Sequence, residues 1–225
     1  MTAFPRCVPV ADRAVLVELG DSVGPAVQAQ VWALDRALQD RPVPGQVELV
    51  PAMVNLLVIF DPLRTDHAAV TAAVTTHLAA VTDHPVAGAE REVLVCYDPP
   101  FAPDLAAVAD QTGIAPEEVI AAHLAGAYRV AMYGFAPGYA YLSGVPEPIR
   151  LPRKSAPVRA VPAGSVIIAG GQCLVTTLTM PTGWWVIGRS PTRILTGQEA
   201  RPFLFDVGDP VRFRRVSAAE LEQPT

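Results

Sequence analysis

The segments "YGFAPGYAYLSGVP" (133–146), "LPRKSAPVRAVPAGSVIIAGGQ" (151–172) and "PTGWWVIGRSP" (181–191) decide how this chain is read. Gly, Pro and aromatic residues alternate in them too densely for a regular helix or central strand. Such sequence suits backbone turns that are held fixed and aromatic faces that wall a concave surface. The rest of the chain reads as scaffold for this region.

On the C-terminal side, and within the region itself, short strands alternate with Gly/Pro turns. They are expected at 128–133, 165–169, 173–178, 184–188 and 210–216, the spacing of a closed or sandwich-like β domain. Two short helices precede them. One runs from Pro103 to Gly113. The other runs from Pro116 to Gly126, with Glu117 and Glu118 in its first turn. The tail 217–225 is expected to fray.

The N-terminal part has a different rhythm. "AVLVEL" (14–19) reads as a strand. A helix follows from Pro25 to Gln39, with Val27, Val31, Leu34 and Leu38 on one face. Strands at 46–50 and 53–60 flank a tight turn. A second helix spans 65–81, and "DHPVAG" (83–88) ends it. The strand 91–98 either closes this sheet or opens the next domain. The order β-α-β-β-α-β is that of ferredoxin-like domains. The expected class is therefore α+β, with a small α/β domain at 1–88 and a β domain at 89–225.

Composition narrows the function. The chain of 225 residues is 51% hydrophobic and 17% charged, enough apolar content for a real core and too little charge for disorder. No apolar run approaches the roughly 20 residues of a membrane helix. The N-terminus carries no secretory pattern. Three distant cysteines point to a reduced, cytoplasmic protein without disulfides. Charge is uneven: residues 1–88 carry nine acidic and five basic side chains, residues 129–215 four acidic and eleven basic. That suits a pocket for a small anion as well as it suits a scattered basic surface. The net charge of −5 and the lack of a dense basic run argue against nucleic acid. Lys154 is the sole lysine.

Several chemistries are missing. There is no G-x-x-x-x-G-K-[ST], no G-x-G-x-x-G opening a helix and no G-x-S-x-G. The four histidines lack metal-ligand spacing, and Lys154 has no methionine beside it to mark a biotin site. No metal and no covalent cofactor is expected.

The remaining candidates each have two readings. His123 reads as a buried core histidine or as a general acid/base. Arg153 and Arg189 follow turns and suit bidentate binding of a carboxylate or phosphate, unless Asp206 or Asp209 pairs with them. Phe135, Tyr139, Tyr141 and Trp184 wall a cleft or simply pack. Gln172 is a candidate polar contact, Gly164, Gly170 and Gly171 are candidates to present backbone N–H groups to an anion, and Ser165 is a candidate substrate contact. Cys173 reads as a small buried hydrophobe rather than a nucleophile.

Taken together, "HLAGAYRVAMYGFAPGYAYLSGVP" (123–146), "LPR" (151–153), "VPAGSVIIAGGQ" (161–172), "GWWVIGRSP" (183–191) and "FDVGDPVRF" (205–213) resemble one family. It contains the bacterial B-type 5-oxoprolinase subunit, allophanate hydrolase subunit 1 and the Kip-type sporulation kinase inhibitor. The resemblance implies a small α/β domain followed by a cyclophilin-like β-barrel domain. It carries the family's motif positions onto His123, Gly134, Phe135, Pro137, Gly138, Tyr141, Pro152 and Arg153. It does the same for Pro162, Gly164, Ser165, Gln172, Trp184, Gly188 and Arg189. It further implies a hydrolase subunit that is inactive alone. Such a subunit works with a C-type partner (allophanate hydrolase subunit 2) and uses ATP to open 5-oxoproline to glutamate. Two alternatives come with it: a carboxyltransferase subunit of a biotin-dependent urea or amide carboxylase, or a non-catalytic histidine-kinase inhibitor. This chain departs from the family pattern at 173–177 (Cys-Leu-Val-Thr-Thr for the usual Thr-Gly-Ile-Tyr-Pro). It departs again at 180–184 (Met-Pro-Thr-Gly-Trp for Ser-Pro-Gly-Gly-Trp) and at Val158, where Arg is usual. The departures cluster at 173–182, inside the expected cleft.

Overall fold

The computed structural model describes residues 4–80 and 88–221. The chain divides into two compact units, Met1–Ala87 and Gly88–Thr225.

In the first unit, strand alternation builds one antiparallel sheet. β1 (Arg6–Val10), β2 (Ala14–Glu18), β3 (Gln46–Pro51) and β4 (Asn55–Phe60) lie in the order β1-β2-β4-β3. Leu56, Val58 and Phe60 of β4 and Val15 and Val17 of β2 point to one face and are buried. Against that face pack α1 (Pro25–Asp40), through Val31, Leu34 and Leu38, and α2 (His67–Ala80), through Val70 and Val74. Pro25 sits in the first turn of α1, where its missing N–H costs nothing. The expected helix stop at 83–88 and Val81 lie, apart from Gly88, outside the described residues.

Two sequence expectations change here. The segment 6–10, given no element in the sequence analysis, is a strand although it holds Pro9. It is an edge strand, where a proline removes no ladder bond. The element order is therefore β-β-α-β-β-α rather than β-α-β-β-α-β. The edge position beside β2 that 91–98 was able to fill belongs to β1, and 91–98 contributes instead to the second unit.

The second unit is built on a sheet of seven strands, ordered β12-β9-β10-β7-β6-β15-β5. These are β5 (Arg91–Val95), β6 (Tyr128–Tyr133), β7 (Ala140–Ser143), β9 (Ser165–Ala169), β10 (Gln172–Val175), β12 (Trp185–Arg189) and β15 (Pro210–Arg215). Its two ends meet. Just past β5, the Cys96 N–H donates to the Arg189 carbonyl at 2.8 Å, and the Arg189 N–H donates to the Cys96 carbonyl at 2.9 Å. The sheet is thus a nearly closed barrel. Gly188 makes that closure possible, because a Cβ there would lie 2.6 Å from Val95 Cγ1.

All seven strands send alternate side chains into one cluster, among them Val93, Val130, Leu142, Ile168, Cys173 and Ile187, and this is the barrel interior. α3 (Leu105–Thr112) and α4 (Pro116–Leu124) add Val108, Val119 and Ile120 to it. A smaller cluster occupies the outer face of β7, β9, β10 and β12 and includes Tyr139, Ile167, Leu174, Trp184 and Val186. Two short two-stranded sheets complete the unit: β8 (Val158–Val161) with β11 (Met180–Thr182), and β13 (Leu195–Gln198) with β14 (Arg201–Phe203). The described part of the tail is not frayed. It forms the short helix α5 (Ala218–Leu221), opened by Ser217, whose hydroxyl and N–H both donate to Glu220.

Candidate functional site: a cation-capped aromatic cleft

The outer cluster opens to solvent as a cavity of about 390 Å³. Its aromatic wall is a chain of rings. Phe135 and Tyr139 have centroids 5.4 Å apart, Tyr139 and Tyr141 6.0 Å, and Tyr141 and Trp184 6.0 Å, all at the tilted or edge-on angles that aromatic pairs favour. Its aliphatic wall is made by Ile167, Leu174, Leu178 and Met180. Pro181, Thr182 and Gly183 close the remaining side, and Arg153 caps it.

Arg153 is held by its neighbours rather than by a counter-ion. The segment carrying it crosses the start of β12. There the Trp185 indole N–H donates to the Pro152 carbonyl at 2.8 Å, and the Lys154 N–H donates to the Gly183 carbonyl at 2.7 Å. The Lys154 ammonium meets Asp104 at 2.5 Å, and the same carboxylate oxygen accepts the Val186 N–H at 2.6 Å. Between these anchors the Arg153 guanidinium lies over Trp184, 5.6 Å from the ring centroid. Among the described residues it has no carboxylate partner. Asp206 and Asp209, the acids expected to compete for it, are paired with Arg91, and Asp206 also with Arg201. The cleft therefore carries a positive charge available to an anion.

Two hydroxyls on the wall each already make one hydrogen bond, Tyr139 as donor and Thr182 as acceptor. Tyr139 donates to the Met180 sulfur at 3.0 Å, and burial pushes its pKa up to about 12. Thr182 Oγ1 accepts the Trp184 N–H at 3.1 Å. The Tyr141 hydroxyl has no partner among the described residues and is free for a ligand.

The other expected site residues lie away from this cleft, each for its own reason. His123 is fully buried in the barrel interior, on the opposite side of the sheet from Leu174. Its Nδ1 shares a 2.7 Å hydrogen bond with the Tyr97 hydroxyl, and its Nε2 lies 3.5 Å from Cys173 Sγ. Burial pushes its pKa down to about 3, so it is a neutral core histidine rather than an acid/base of the cleft. Cys173, fully buried beside it, has its thiol pKa pushed up by the same cause and is no nucleophile.

Arg189 stands at the barrel seam against Gly164, at the far end of β12 from Trp184, roughly 16 Å along the strand. It has no carboxylate partner among the described residues, and partial burial lowers its pKa. The two arginines do not form one anion site.

The expected nest of backbone N–H groups is absent. The Gly164 N–H donates to the Thr176 carbonyl at 2.6 Å, and the Ser165 N–H donates to Thr176 Oγ1 at 2.9 Å. The Ser165 hydroxyl donates to the Pro162 carbonyl at 2.8 Å. Gly170 and Gly171 form the β9–β10 turn, where the Gly170 N–H donates to the Leu151 carbonyl at 2.7 Å. Gln172 shares the outer-facing parity of Leu174 but lies beyond the cavity.

The sequence reading did not single out Ile167, Leu174, Leu178, Met180, Pro181, Thr182 or Gly183 as lining residues. Their signal was there in part: Ile167 has the outward parity of β9, and Leu178 and Met180 fall in the segment 173–182 that departs from the family pattern. Among the described residues no group of three or more His, Cys, Asp or Glu is placed to hold a metal ion. None of their helices is long and apolar enough to cross a membrane.

Residues 5–205 match the family described as carboxyltransferase domain, subdomain C and D. The chain is 36% identical over 228 residues to the B-type 5-oxoprolinase subunit of Bacillus subtilis (strain 168), covering 96% of this chain and 95% of that protein. The solved structure of TTHA0988 matches over 92% of this chain with a TM-score of 0.80 and 32% identity, and this chain spans 40% of that one. The K. lactis urea amidolyase shares the fold over 93% of this chain and 15% of its own, with a TM-score of 0.73 at 16% identity. The chain belongs to the carboxyltransferase-domain family, subdomains C and D, alongside proteins named as B-type subunits of 5-oxoprolinase.

Proposed function

We propose that this chain is the substrate-recognition subunit of an ATP-dependent 5-oxoprolinase-type amidohydrolase, opening 5-oxoproline to glutamate. It would act in the cytoplasm with a second, C-type subunit (allophanate hydrolase subunit 2). Its C-terminal unit would be the family's cyclophilin-like barrel. One observation carries this reading: an arginine without a counter-ion caps an aromatic cleft, next to a free tyrosine hydroxyl. The cavity volume lies in the range typical of small-molecule sites.

In this proposal the substrate carboxylate meets Arg153, and the lactam ring stacks on the Trp184–Tyr141 wall. The Tyr141 hydroxyl donates to the ring carbonyl, the oxygen on which charge develops when the amide is attacked. The residues lining the cleft include no His, Asp, Glu or Lys, so the proton transfers of hydrolysis fall to groups outside it, on the partner. The same count bears on ATP. A triphosphate needs several cations, and this cleft offers Arg153 alone, since Lys154 is tied to Asp104. The nucleotide does not fit here and is assigned to partner chains.

The test is to co-express the chain with its operon neighbours and measure ATP-dependent release of glutamate from 5-oxoproline. A stable complex without turnover would remove the substrate assignment. The carboxyltransferase-domain match favours a second reading, a half-site that receives a carboxyl group from biotin carried by another protein. Transfer of labelled carboxyl from a biotinylated partner to urea or an amide would establish that reading instead.

A further inference from the structure

The cleft is more apolar than an unsubstituted lactam acid requires. A pyroglutamate-sized ring presents polar atoms on most of its edge, and a site shaped for it alone would meet each with a hydrogen-bonding group. Here the side chains whose polar groups make no hydrogen bond are Arg153 and Tyr141; the Tyr139 hydroxyl donates to Met180, and Thr182 Oγ1 accepts the Trp184 N–H and keeps one O–H to donate. Beside Tyr141 on the same face of the sheet lie Leu174 and Ile167, and with Leu178 and Met180 they offer no free hydrogen-bonding group on their side chains. At the rim stands Phe135, 74% exposed, on a left-handed backbone with φ 72. Bulky side chains rarely hold that conformation. Here a tight turn enforces it, with the Ala136 N–H donating to the Gly134 carbonyl at 2.9 Å and the Tyr139 N–H to the Ala136 carbonyl at 3.0 Å. The turn displays an aromatic ring to solvent at the rim of the cleft, beside Tyr139.

Resting on the reading of this cleft as a carboxylate–amide site, we infer that its ligand is a cyclic amide acid bearing an additional apolar substituent of alkyl or aryl size. The carboxylate sits on Arg153 and the amide carbonyl on Tyr141. The substituent covers Leu174, Leu178 and Met180 beside the Phe135 ring. Phe135 and Leu178 are then the residues that set specificity.

Isothermal titration calorimetry on the full chain tests this with 5-oxoproline and with the same ring carrying a benzyl group on its nitrogen or on C4. At least one benzyl compound is expected to bind about tenfold or more tightly than the bare ring, from the apolar area it buries. Phe135→Ala and Leu178→Ser, both at exposed positions where the fold tolerates change, are expected to remove most of that gain. The readout is the ratio of the two affinities: both variants should weaken the benzyl compound several-fold more than they weaken the bare ring. If the bare ring binds as tightly as both benzyl compounds, the inference is overturned and the proposed function stands. If none of the three binds, both fall.

Discussion

Arg153 lies over the indole of Trp184, its Cζ 5.6 Å from the ring centroid, and nothing negative accompanies it among the described residues. The next residue along makes the contrast. Lys154 lies 5.3 Å over Trp185 but is neutralised by Asp104. Two consecutive cations thus meet two consecutive indoles. One closes the structure, and the other keeps its charge for a ligand.

Arg153→Ala is expected to weaken binding of carboxylate ligands in the cleft by at least about tenfold, the scale of a charge-assisted hydrogen bond. Thermal stability should barely move, because the side chain is exposed. Arg153→Lys should recover only part of the loss, since an ammonium lacks the planar fork and stacks less well on Trp184. Titration calorimetry beside a melting curve separates the two effects.

The Lys154–Asp104 pair is mostly buried, with side chains 13% and 19% exposed. Asp104→Ala strands the ammonium and also removes the acceptor of the Val186 N–H, and is expected to cost about 3 kcal/mol. The double variant Asp104→Ala with Lys154→Met is expected to be more stable than Asp104→Ala alone, because no uncompensated charge remains. Urea unfolding of the three proteins decides it.

Gly188→Ala is expected to cost about 2 kcal/mol, and to lower Tm by several degrees. Its Cβ would sit 2.6 Å from Val95 Cγ1 and 3.0 Å from the Cys96 carbonyl, at the seam that closes the barrel. Gly171→Ala is the control: its nearest neighbour would be Arg150 Nε at 3.9 Å, so it should be close to neutral.

His123 predicts an acid limb in stability. Its folded pKa is pushed down to about 3 from an ordinary 6.5. Above 6.5 the imidazole is neutral in both states and contributes no pH dependence. Below it the unfolded chain takes up a proton that the folded chain refuses, so stability falls as pH drops from about 6.5 towards 3. The slope is up to about 1.4 kcal/mol per pH unit. His123→Gln is expected to flatten this limb in urea unfolding between pH 7 and pH 4, whatever it costs at pH 7. An unchanged slope would mean that the acid sensitivity arises from other groups.

The sequence was enough to find the elements with local signatures. α1 showed its buried face in Val31, Leu34 and Leu38, and β4 showed its alternation in Leu56, Val58 and Phe60. It also supplied five of the cleft's lining residues, Phe135, Tyr139, Tyr141, Arg153 and Trp184, from Gly/Pro/aromatic density and from family resemblance. β1 was left unassigned because it is a five-residue edge strand interrupted by Pro9, too short for its alternation to stand out locally.

What the sequence determined by itself was the inventory: which residues turn the chain, which stack, and which bring charge. The tertiary structure alone decided their company. Neighbours in a strand face opposite sides of the sheet, so Leu174 walls the cleft while Cys173, one residue earlier, lies in the core with His123. Closure at Cys96 and Arg189 joins strands more than ninety residues apart, which no local pattern encodes. That closure carries Arg189 to the seam and leaves Arg153 as the cleft's free cation, because which side chains meet depends on sheet register and barrel closure rather than on separation along the chain.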